Sequence, residues 1–551
     1  MKSLNKLFIA LGLTASLSFV SCVDDLNVAP KDPNVMTDVS GEMDRVLAEC
    51  YQGLATSGYN GAGSSIISGG DAGANSFTRA VFVCNELTTD EFAWKQFGDA
   101  GQYELATMQF AADNGVMYTT YSRLYTVVAL CNEFIRSVDN GKFTLDTPEL
   151  QNKAAEYKRQ AKVLRGLCYF YAIDMFGNAG YQDETMPAGT APEQYDRADL
   201  YNKVVAGLEA VSAEWGETYD VPAYGYVGKE ACDALLAKFY LNAEVFTGTP
   251  AYDKCWNICE KIIAHHKGAG FNGSGLANSY KAVFGANNHE YMSQGSRVNE
   301  IIWGIPQDGI KLQNYGGTTF YMAASTSNST PGTEMNSANY NLSASWTCMN
   351  ARTQLSNRFE WDDAGTSVDA RASLWMTKKD GANIENTSIT NFQDGYVPVK
   401  YTNYAYDEEG NIDEENCPPS SNSFADADWC VIRLAEIYLN AAEAYVVGHV
   451  GDQASALEYV NYIRERAWIE PWNIAQLTPE NLLDERSREL YGENCRRTDL
   501  VRHNKYAGGN YNWNWKGNVG VGGTATPEHM NLFPIPSTVI SFQGFKQNPG
   551  Y

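Results

Sequence analysis

The chain has 551 residues and a formal net charge of −25, from 41 Lys and Arg against 66 Asp and Glu. An acidic surface repels phosphate backbones, so we expect no nucleic-acid partner. The sequence also contains no G-x-S-x-G, H-E-x-x-H or P-loop motif, which excludes the hydrolase and nucleotide-binding classes that those motifs mark.

The N-terminus has the pattern of a lipoprotein signal. Two lysines precede an apolar run over residues 7–17, and Cys22 follows shortly after it. The run is too short to remain in a bilayer as a spanning helix. We predict a signal peptide over residues 1–21, lipidation of Cys22 and a flexible tether over residues 22–40. Ordinary secretion with Cys22 as a free thiol is the alternative.

Residues 41–270 are predicted to form the first part of a helical scaffold, interrupted by loops over 57–115. The clearest period lies in 149–176, where apolar side chains recur every three or four residues. Helices are also predicted over 41–56, 116–138, 198–214, 229–247 and 252–267. Helix pairs of roughly 34 residues recur, as in tetratricopeptide repeats, and each pair is expected to bury its apolar face on the next. Cysteines within these helical patterns are interpreted as small core residues.

Residues 271–428 differ in character, because Gly, Asn, Ser and Thr are dense and long helical periods are absent. This composition predicts a loop-rich insert with short strands and helices. Long irregular segments on a rigid frame usually carry function, so the insert is expected to bind the ligand. Its acidic stretch over 407–416 could attract calcium but lacks EF-hand spacing, and a solvated loop is favoured. We predict neither a metal site nor a cofactor.

Residues 429–502 are predicted to form the second part of the scaffold. Over 429–447 the polar residues fall on one narrow stripe, which predicts a mostly buried helix. Asp452 is a good N-cap for a second helix, and Thr478 followed by Pro479 opens a third.

Acidic and basic residues alternate over 485–502. A catalytic carboxylate cluster is one interpretation of this pattern. Balanced charges at helical spacing favour the other, a network of ion pairs that ties a helix end to the loop after it. No catalytic residue is therefore predicted.

Several motifs of this C-terminal part resemble the signature of the SusD/RagB family. They include Arg433 and Glu436, the alternating charges over 485–502, and the closing motifs LFPIP (532–536) and QNPGY (547–551). The resemblance implies a mostly α SusD-like fold, in which residues 503–551 form a C-terminal loop and docking tail. It further implies a surface-exposed lipoprotein of the outer membrane that captures a glycan for a SusC-like TonB-dependent transporter.

Aromatic side chains with nearby amide and hydroxyl groups are typical of a sugar site. Two segments, 90–103 and 313–346, have this composition. The candidate ligand-binding residues are Trp94, Phe97, Tyr315, Tyr321 and Trp346. For each of them the alternative is packing in the core.

Two other functions stay open at this point. A RagB-like peptide-binding subunit would share the fold and the transporter. A secreted glycoside hydrolase would need two carboxylates brought together by the fold, which sequence spacing does not test.

Overall fold

The computed structural model describes residues 41–68, 71–292, 295–329, 335–361, 366–377 and 385–551. The signal peptide, Cys22 and the tether lie outside these residues, so they stay predictions. Within the described ranges, every helix is too short or too polar to cross a bilayer.

The first part of the chain is mainly helical, as the apolar periods predict. Its helices are α1 (Met43–Ala55), α2 (Phe77–Asn85), α3 (Gln102–Ala106), α4 (Gly115–Asp139), α5 (Pro148–Phe176), α6 (Arg197–Glu214), α7 (Lys229–Leu241), α8 (Ala243–Thr247) and α9 (Tyr252–His266). The predicted helix over 229–247 is divided at Asn242, whose side-chain amide donates to the Lys238 carbonyl over 2.8 Å. Helix α2 lies in the stretch predicted as loops, because nine residues are too few to show a helical period.

Close packing between the scaffold helices follows from particular small residues. A β carbon on Gly166 of α5 would lie 2.7 Å from Cδ2 of Leu208 on α6, so glycine lets these helices approach. The predicted core role of the helical cysteines is confirmed. All five are buried free thiols: Cys131, Cys168, Cys232, Cys255 and Cys259.

Within the described ranges, residues 271–428 contain only short helices and strands. This agrees with the loop-rich insert that the composition predicts. The helices there are α10 (Tyr280–Val283), α11 (Gly317–Ser325), α12 (Thr353–Ser356) and α13 (Ala370–Trp375). The strands in the described residues are β1 (Phe92–Trp94), β2 (Gly180–Tyr181), β3 (Glu193–Gln194), β4 (Ile301–Ile305), β5 (Met349–Ala351), β6 (Met376–Thr377), β7 (Val397–Pro398) and β8 (Trp429–Arg433). They pair antiparallel as β1–β5, β2–β3, β4–β8 and β6–β7.

The prediction of one helix over 429–447 is wrong for its first five residues. These form β8, in which Arg433 pairs with Ile301 and Trp429 with Ile305 of β4. Tryptophan, valine and isoleucine suit a strand, and burial of both faces removes the alternation that would have revealed it.

The remaining helices lie between β8 and the C-terminal residues, and the first of them begins directly after β8. They are α14 (Leu434–Gly448), α15 (Gln453–Arg466), α16 (Pro479–Leu490), α17 (Arg496–Arg502) and α18 (Ser537–Gln543). The two predicted caps are confirmed. The Asp452 carboxylate accepts from the Ser455 amide over 2.8 Å, and the Thr478 hydroxyl accepts from the Asn481 amide over 3.3 Å.

The alternating charges form a buried ion-pair network, as predicted. Its central members are Arg371, Arg433, Arg466, Glu300, Glu485, Glu489 and Glu493. Arg433 lies 2.8 Å from Glu300 and 2.7 Å from Glu493, and Arg466 lies 2.9 Å from Glu489. Glu300 and Arg371 belong to the predicted insert, so the network joins the insert to the C-terminal helices.

The charges of the network offset the cost of burying it. Burial raises the pKa of Glu493, but Arg433 and Lys400 outweigh that effect and hold the pKa at about 2. Burial likewise opposes ionisation of Glu485, yet Arg488, Arg371 and Arg464 keep its pKa below the ordinary value. These carboxylates are therefore ionised and serve the fold.

The C-terminal residues close onto the scaffold through a contact that we call the C-terminal clasp (Asn548 with Phe176 and Phe533). The Asn548 amide donates to the Phe176 carbonyl over 2.7 Å and to the Phe533 carbonyl over 2.8 Å. Arg497 adds a hydrogen bond of 2.6 Å to the carbonyl of Asn531. The closing motifs of the sequence thus contact the scaffold at the last turn of α5.

Candidate functional site

The structure separates the five candidate aromatic residues into buried and exposed ones. Trp94 in β1 and Tyr321 in α11 are 1% and 0% exposed, so neither offers a ring face to a ligand. Trp94 instead donates through Nε1 to Asp99 over 3.2 Å. Trp94 and Tyr321 are therefore not part of the proposed binding surface. Phe97, Tyr315 and Trp346 are at least partly exposed to solvent.

The two segments chosen from the sequence do come together. The pairing of β1 with β5 places 90–103 beside the end of 313–346. The Gln96 side chain then donates to the Thr347 carbonyl over 2.8 Å, across 251 positions of sequence. One continuous surface is therefore built from both segments.

Three rings form an aromatic cluster on this surface: Tyr315, Trp346 and Phe424. The Tyr315 ring centroid lies 6.0 Å from that of Trp346 and 5.2 Å from that of Phe424. Tyr315 is 38% exposed, while the other two are half-buried and fix its position. The aromatic cluster thus presents a partly open ring held by two others, as a stacking surface requires.

A charged pair lies against the aromatic cluster. A β carbon on Gly73 would stand 2.4 Å from Cβ of Tyr315 and 3.1 Å from Nη1 of Arg79, so all three groups meet at one point. Arg79 lies 3.5 Å from Asp71, and its guanidinium carbon lies 4.6 Å from the ring centroid of Phe320. The guanidinium is therefore held between a carboxylate and an aromatic face.

Arg79 has capacity for a further hydrogen bond. Its Nε is buried and has no hydrogen-bond partner among the described residues. Burial lowers the pKa of its guanidinium, while the Asp71 carboxylate works in the opposite direction. The Arg79 side chain is 11% exposed, so a ligand would contact its exposed atoms rather than Nε.

Beside the charged pair lies a cleft of about 690 Å³, a volume in the range of small-molecule sites. Arg79 contributes a positive charge to its lining, and Asp71, Asp99, Glu104 and Asp113 contribute negative ones. The cleft is therefore acidic overall and disfavours anionic ligands.

Phe97 contacts Tyr103 and makes no ring contact with the aromatic cluster in the described residues. It is 68% exposed, and its ring centroid lies 4.9 Å from that of Tyr103. The Tyr103 hydroxyl donates to Asn518 over 3.1 Å. Phe97 and Tyr103 thus form a second aromatic edge near the cleft, which Gln102 also lines.

Two carboxyl groups with raised pKa are buried in the core rather than on this surface. Burial raises the pKa of Glu86 and of Glu91, and both side chains are fully buried. A substrate cannot reach them, so their shifts reflect the core rather than general acid catalysis. Among the residues that the structure describes, no cluster of His, Cys, Asp and Glu is arranged to hold a metal ion.

Sequence reasoning missed three parts of this site: Asp71, Arg79 and Phe424. Asp71 lies within a Gly- and Ser-rich loop, Arg79 follows that loop, and Phe424 lies in a polar loop. The only signal for Arg79 was a lone cation at the start of a short apolar run.

Comparison with known proteins agrees with this architecture. The SusD family model matches residues 287–551. The starch-binding protein SusD of Bacteroides thetaiotaomicron is 30% identical over 594 residues, an alignment that covers 100% of this chain and 99% of that protein. The chain belongs to the SusD family. The names of two relatives describe binding proteins, one of starch and one of surface glycans.

Solved structures share the fold of this SusD-family protein. Surface glycan-binding protein A from Bacteroides fluxus has a TM-score of 0.67 at 21% identity, covering 93% of this chain and 100% of that one. Surface glycan-binding protein A from B. thetaiotaomicron, solved with laminarihexaose, has a TM-score of 0.64 at 18% identity, covering 92% and 99%. The mostly helical, tetratricopeptide-like scaffold predicted from the sequence is thereby confirmed.

Proposed function

We propose that this SusD-family protein binds a glycan at the cell surface and delivers it to a SusC-like TonB-dependent transporter. In this proposal lipidated Cys22 anchors the protein to the outer membrane, and the protein makes no covalent change to its ligand. The observation that carries the proposal is the partly exposed Tyr315 ring beside the Arg79–Asp71 pair.

A pyranose ring has a C–H face and a rim of hydroxyl groups, and the site matches both. The aromatic cluster of Tyr315, Trp346 and Phe424 would accept the C–H face. Arg79 would donate to a hydroxyl oxygen at the rim, and Asp71, whose side chain is 65% exposed, would accept from a neighbouring hydroxyl. In this proposal the exposed Phe97 ring contacts a further sugar unit of a longer chain.

The charges of the cleft favour a neutral glycan. One cation faces four carboxylates, so uronate-containing or sulfated chains would be repelled. The curated relative is named for starch, and one structural relative was solved with laminarihexaose. A neutral glucan is therefore the ligand class that we propose.

The experiment is a glycan array followed by calorimetric titration of the soluble protein lacking residues 1–22. We expect binding to a neutral glucan that disappears in a Tyr315→Ala/Trp346→Ala double variant. Phe542→Ala is the matched control, because Phe542 is 86% exposed on α18 and should not affect binding. Unchanged affinity in the double variant would reject the site.

The same protein tests the two rival functions. Binding to a peptide pool but to no glycan would favour a RagB-like peptide subunit. Release of reducing ends from a glucan by the purified protein would favour a glycoside hydrolase.

Anchoring and delivery need intact cells. Cys22→Ala should abolish incorporation of labelled fatty acid and release the protein from the membrane fraction. The wild-type protein should copurify with a TonB-dependent transporter after mild crosslinking. Retention of the Cys22→Ala protein in the membrane would contradict the anchor.

A further inference from the structure

The end of helix α15 carries a residue in an unfavourable backbone conformation. Trp468 has φ of +62°. Its amide donates to the Glu465 carbonyl over 3.0 Å, and the amide of Ile469 donates to the Arg464 carbonyl over 3.1 Å. These two hydrogen bonds are those of a Schellman motif, in which the left-handed position is usually glycine. A tryptophan here strains the backbone, whereas glycine would form the same motif without strain.

Packing of the Trp468 side chain does not compensate for that strain. It is 72% exposed, more than the other tryptophans whose side chains are described. Within the described part of the chain, its indole makes no ring contact and no hydrogen bond. Strain combined with exposure points to a role outside the fold.

Trp468 borders a pocket of about 490 Å³, which we call the Trp468 pocket. Its polar lining includes Arg464, Gln476, Asn481 and Asp484. It shares no lining residue with the cleft beside Arg79 and is built mainly from α15, α16 and the segment between them. It is therefore a separate site in the same molecule.

Two of the polar side chains in the Trp468 pocket are positioned by residues near it. Arg464 donates through Nε to the Glu470 carbonyl over 2.8 Å and through Nη1 to Glu485 over 2.6 Å. Its Nη2 has no partner among the described residues. Asp484 accepts through Oδ1 from Arg358 over 3.1 Å, which leaves Oδ2 as an acceptor.

Two amides complete the pattern. Asn481 donates through Nδ2 to the Gln476 carbonyl over 2.8 Å, and Oδ1 remains without a partner in the described chain. Gln476 accepts through Oε1 from the Asn473 amide over 2.9 Å, and Nε2 remains. The pocket thus offers two donors and two acceptors, each on a side chain that another contact already holds in place.

We propose that the Trp468 pocket is a second glycan-binding site, with Trp468 as the stacking surface. Fixed donors and acceptors beside an open indole face match the hydroxyl rim and C–H face of a pyranose. The ligand class rests on the proposed function, whereas the site rests on its own geometry. Two sites on one protein would hold a long glycan chain at two points and raise its retention.

The test measures protection of Trp468 itself. N-bromosuccinimide oxidises exposed indoles, and mass spectrometry gives the oxidation rate of each tryptophan. Maltoheptaose and laminarihexaose are the probes. We expect one of them to slow oxidation of Trp468 about tenfold at saturation. The protection should persist in the Tyr315→Ala/Trp346→Ala variant, which lacks the first site.

A Trp468→Gly variant gives a second measurement. Glycine adopts φ of +62° without strain, so the melting temperature should not fall. In calorimetry the number of probe molecules bound per protein should fall from about two to about one. The apparent affinity for the polysaccharide that corresponds to the bound probe should fall about tenfold or more.

Each other outcome overturns a definite statement. If Trp468→Gly melts lower and still binds two probe molecules, Trp468 serves the fold and takes no part in a second site. Trp468 protected by a transporter preparation but by neither probe would make this a protein-docking surface instead. If neither probe binds the wild-type protein, both this proposal and the proposed glucan function fail. Binding that Tyr315→Ala/Trp346→Ala abolishes, with Trp468 unprotected, removes this proposal alone.

Discussion

Gly73 and Tyr315 lie so close together that a β carbon on Gly73 would stand 2.4 Å from Cβ of Tyr315. Contacts this short do not occur between real side chains, so the loop before α2 has to move if Gly73 is replaced. The position of the exposed ring in the proposed glycan site therefore depends on a glycine in another loop.

Gly73→Ala should consequently displace Tyr315 and weaken glycan binding by about tenfold, or about 1.4 kcal/mol. Gly63→Ala is the matched control, because a β carbon on Gly63 meets no atom within 4 Å. Calorimetric titration with the best glucan would measure both variants. Equal affinities for the two variants would show that Tyr315 does not bind the ligand.

Arg79→Lys should also weaken binding, although the charge is kept. Lysine cannot reproduce the planar contact of Arg79 with Phe320 while facing Asp71. Loss of one hydrogen bond from a charged group costs about 1.5–3 kcal/mol, which corresponds to about 10- to 100-fold in affinity.

The control for Arg79→Lys is Arg159→Lys, on α5, where Arg159 pairs with Glu156 at 2.8 Å. It should bind glycan with wild-type affinity. A wild-type dissociation constant for Arg79→Lys would mean that Arg79 only supports Phe320.

Arg433→Met should destabilise the fold strongly, because it leaves Glu300 and Glu493 buried with less opposing charge. Removing one partner of a buried ion pair typically costs about 3–5 kcal/mol. Lys142→Met is the control, since Lys142 and Glu133 are 50% and 46% exposed and such surface pairs contribute at most about 1 kcal/mol. Urea unfolding of both variants would measure the difference. A loss below that of the control would contradict the structural role of the network.

The raised pKa of Asp428 predicts that the stability of the folded protein depends on pH. Burial raises its pKa to about 7, although the Gln307 amide and the Tyr224 hydroxyl both donate to it over 2.7 Å. The folded protein therefore keeps this proton to higher pH than the unfolded chain does. Its contribution to stability is complete below about pH 4 and is lost as the pH rises through about 7.

Asp428→Asn removes this titration, so its stability relative to wild type should rise between pH 4 and pH 8. The gain is at most about 4 kcal/mol, at about 1.4 kcal/mol per pKa unit. Urea unfolding at several pH values would measure the difference between the two proteins. A difference that stays constant with pH would show that Asp428 is ionised throughout.

The helical scaffold was predictable because its helices are long and obey local rules. Helix α5 is 29 residues long, and Asp452 and Thr478 mark helix starts through side-chain chemistry that needs no tertiary contact. Strand β8 was not predictable in this way. Its identity depends on pairing with β4, more than a hundred residues earlier, and no local pattern records that partner.

The site was predictable only as two regions. Composition marked 90–103 and 313–346, and the β1–β5 pairing does bring them together. Composition does not reveal which aromatic rings face inward. It therefore predicts Trp94 and Tyr321 as ligand-binding residues together with Tyr315, although both are buried. Arg79 gained its position from packing on Phe320, a contact between distant segments.

The C-terminal clasp has a consequence for biogenesis. Asn548 bonds to Phe176 across 372 positions of sequence, so α5 has emerged long before the partner that covers its end is synthesised. A chain that stops short of Asn548 lacks the hydrogen bonds to Phe176 and Phe533, so we expect the last turn of α5 to open more readily. Limited proteolysis should therefore cleave a chain truncated before Asn548 near the end of α5 faster than a chain that contains the clasp.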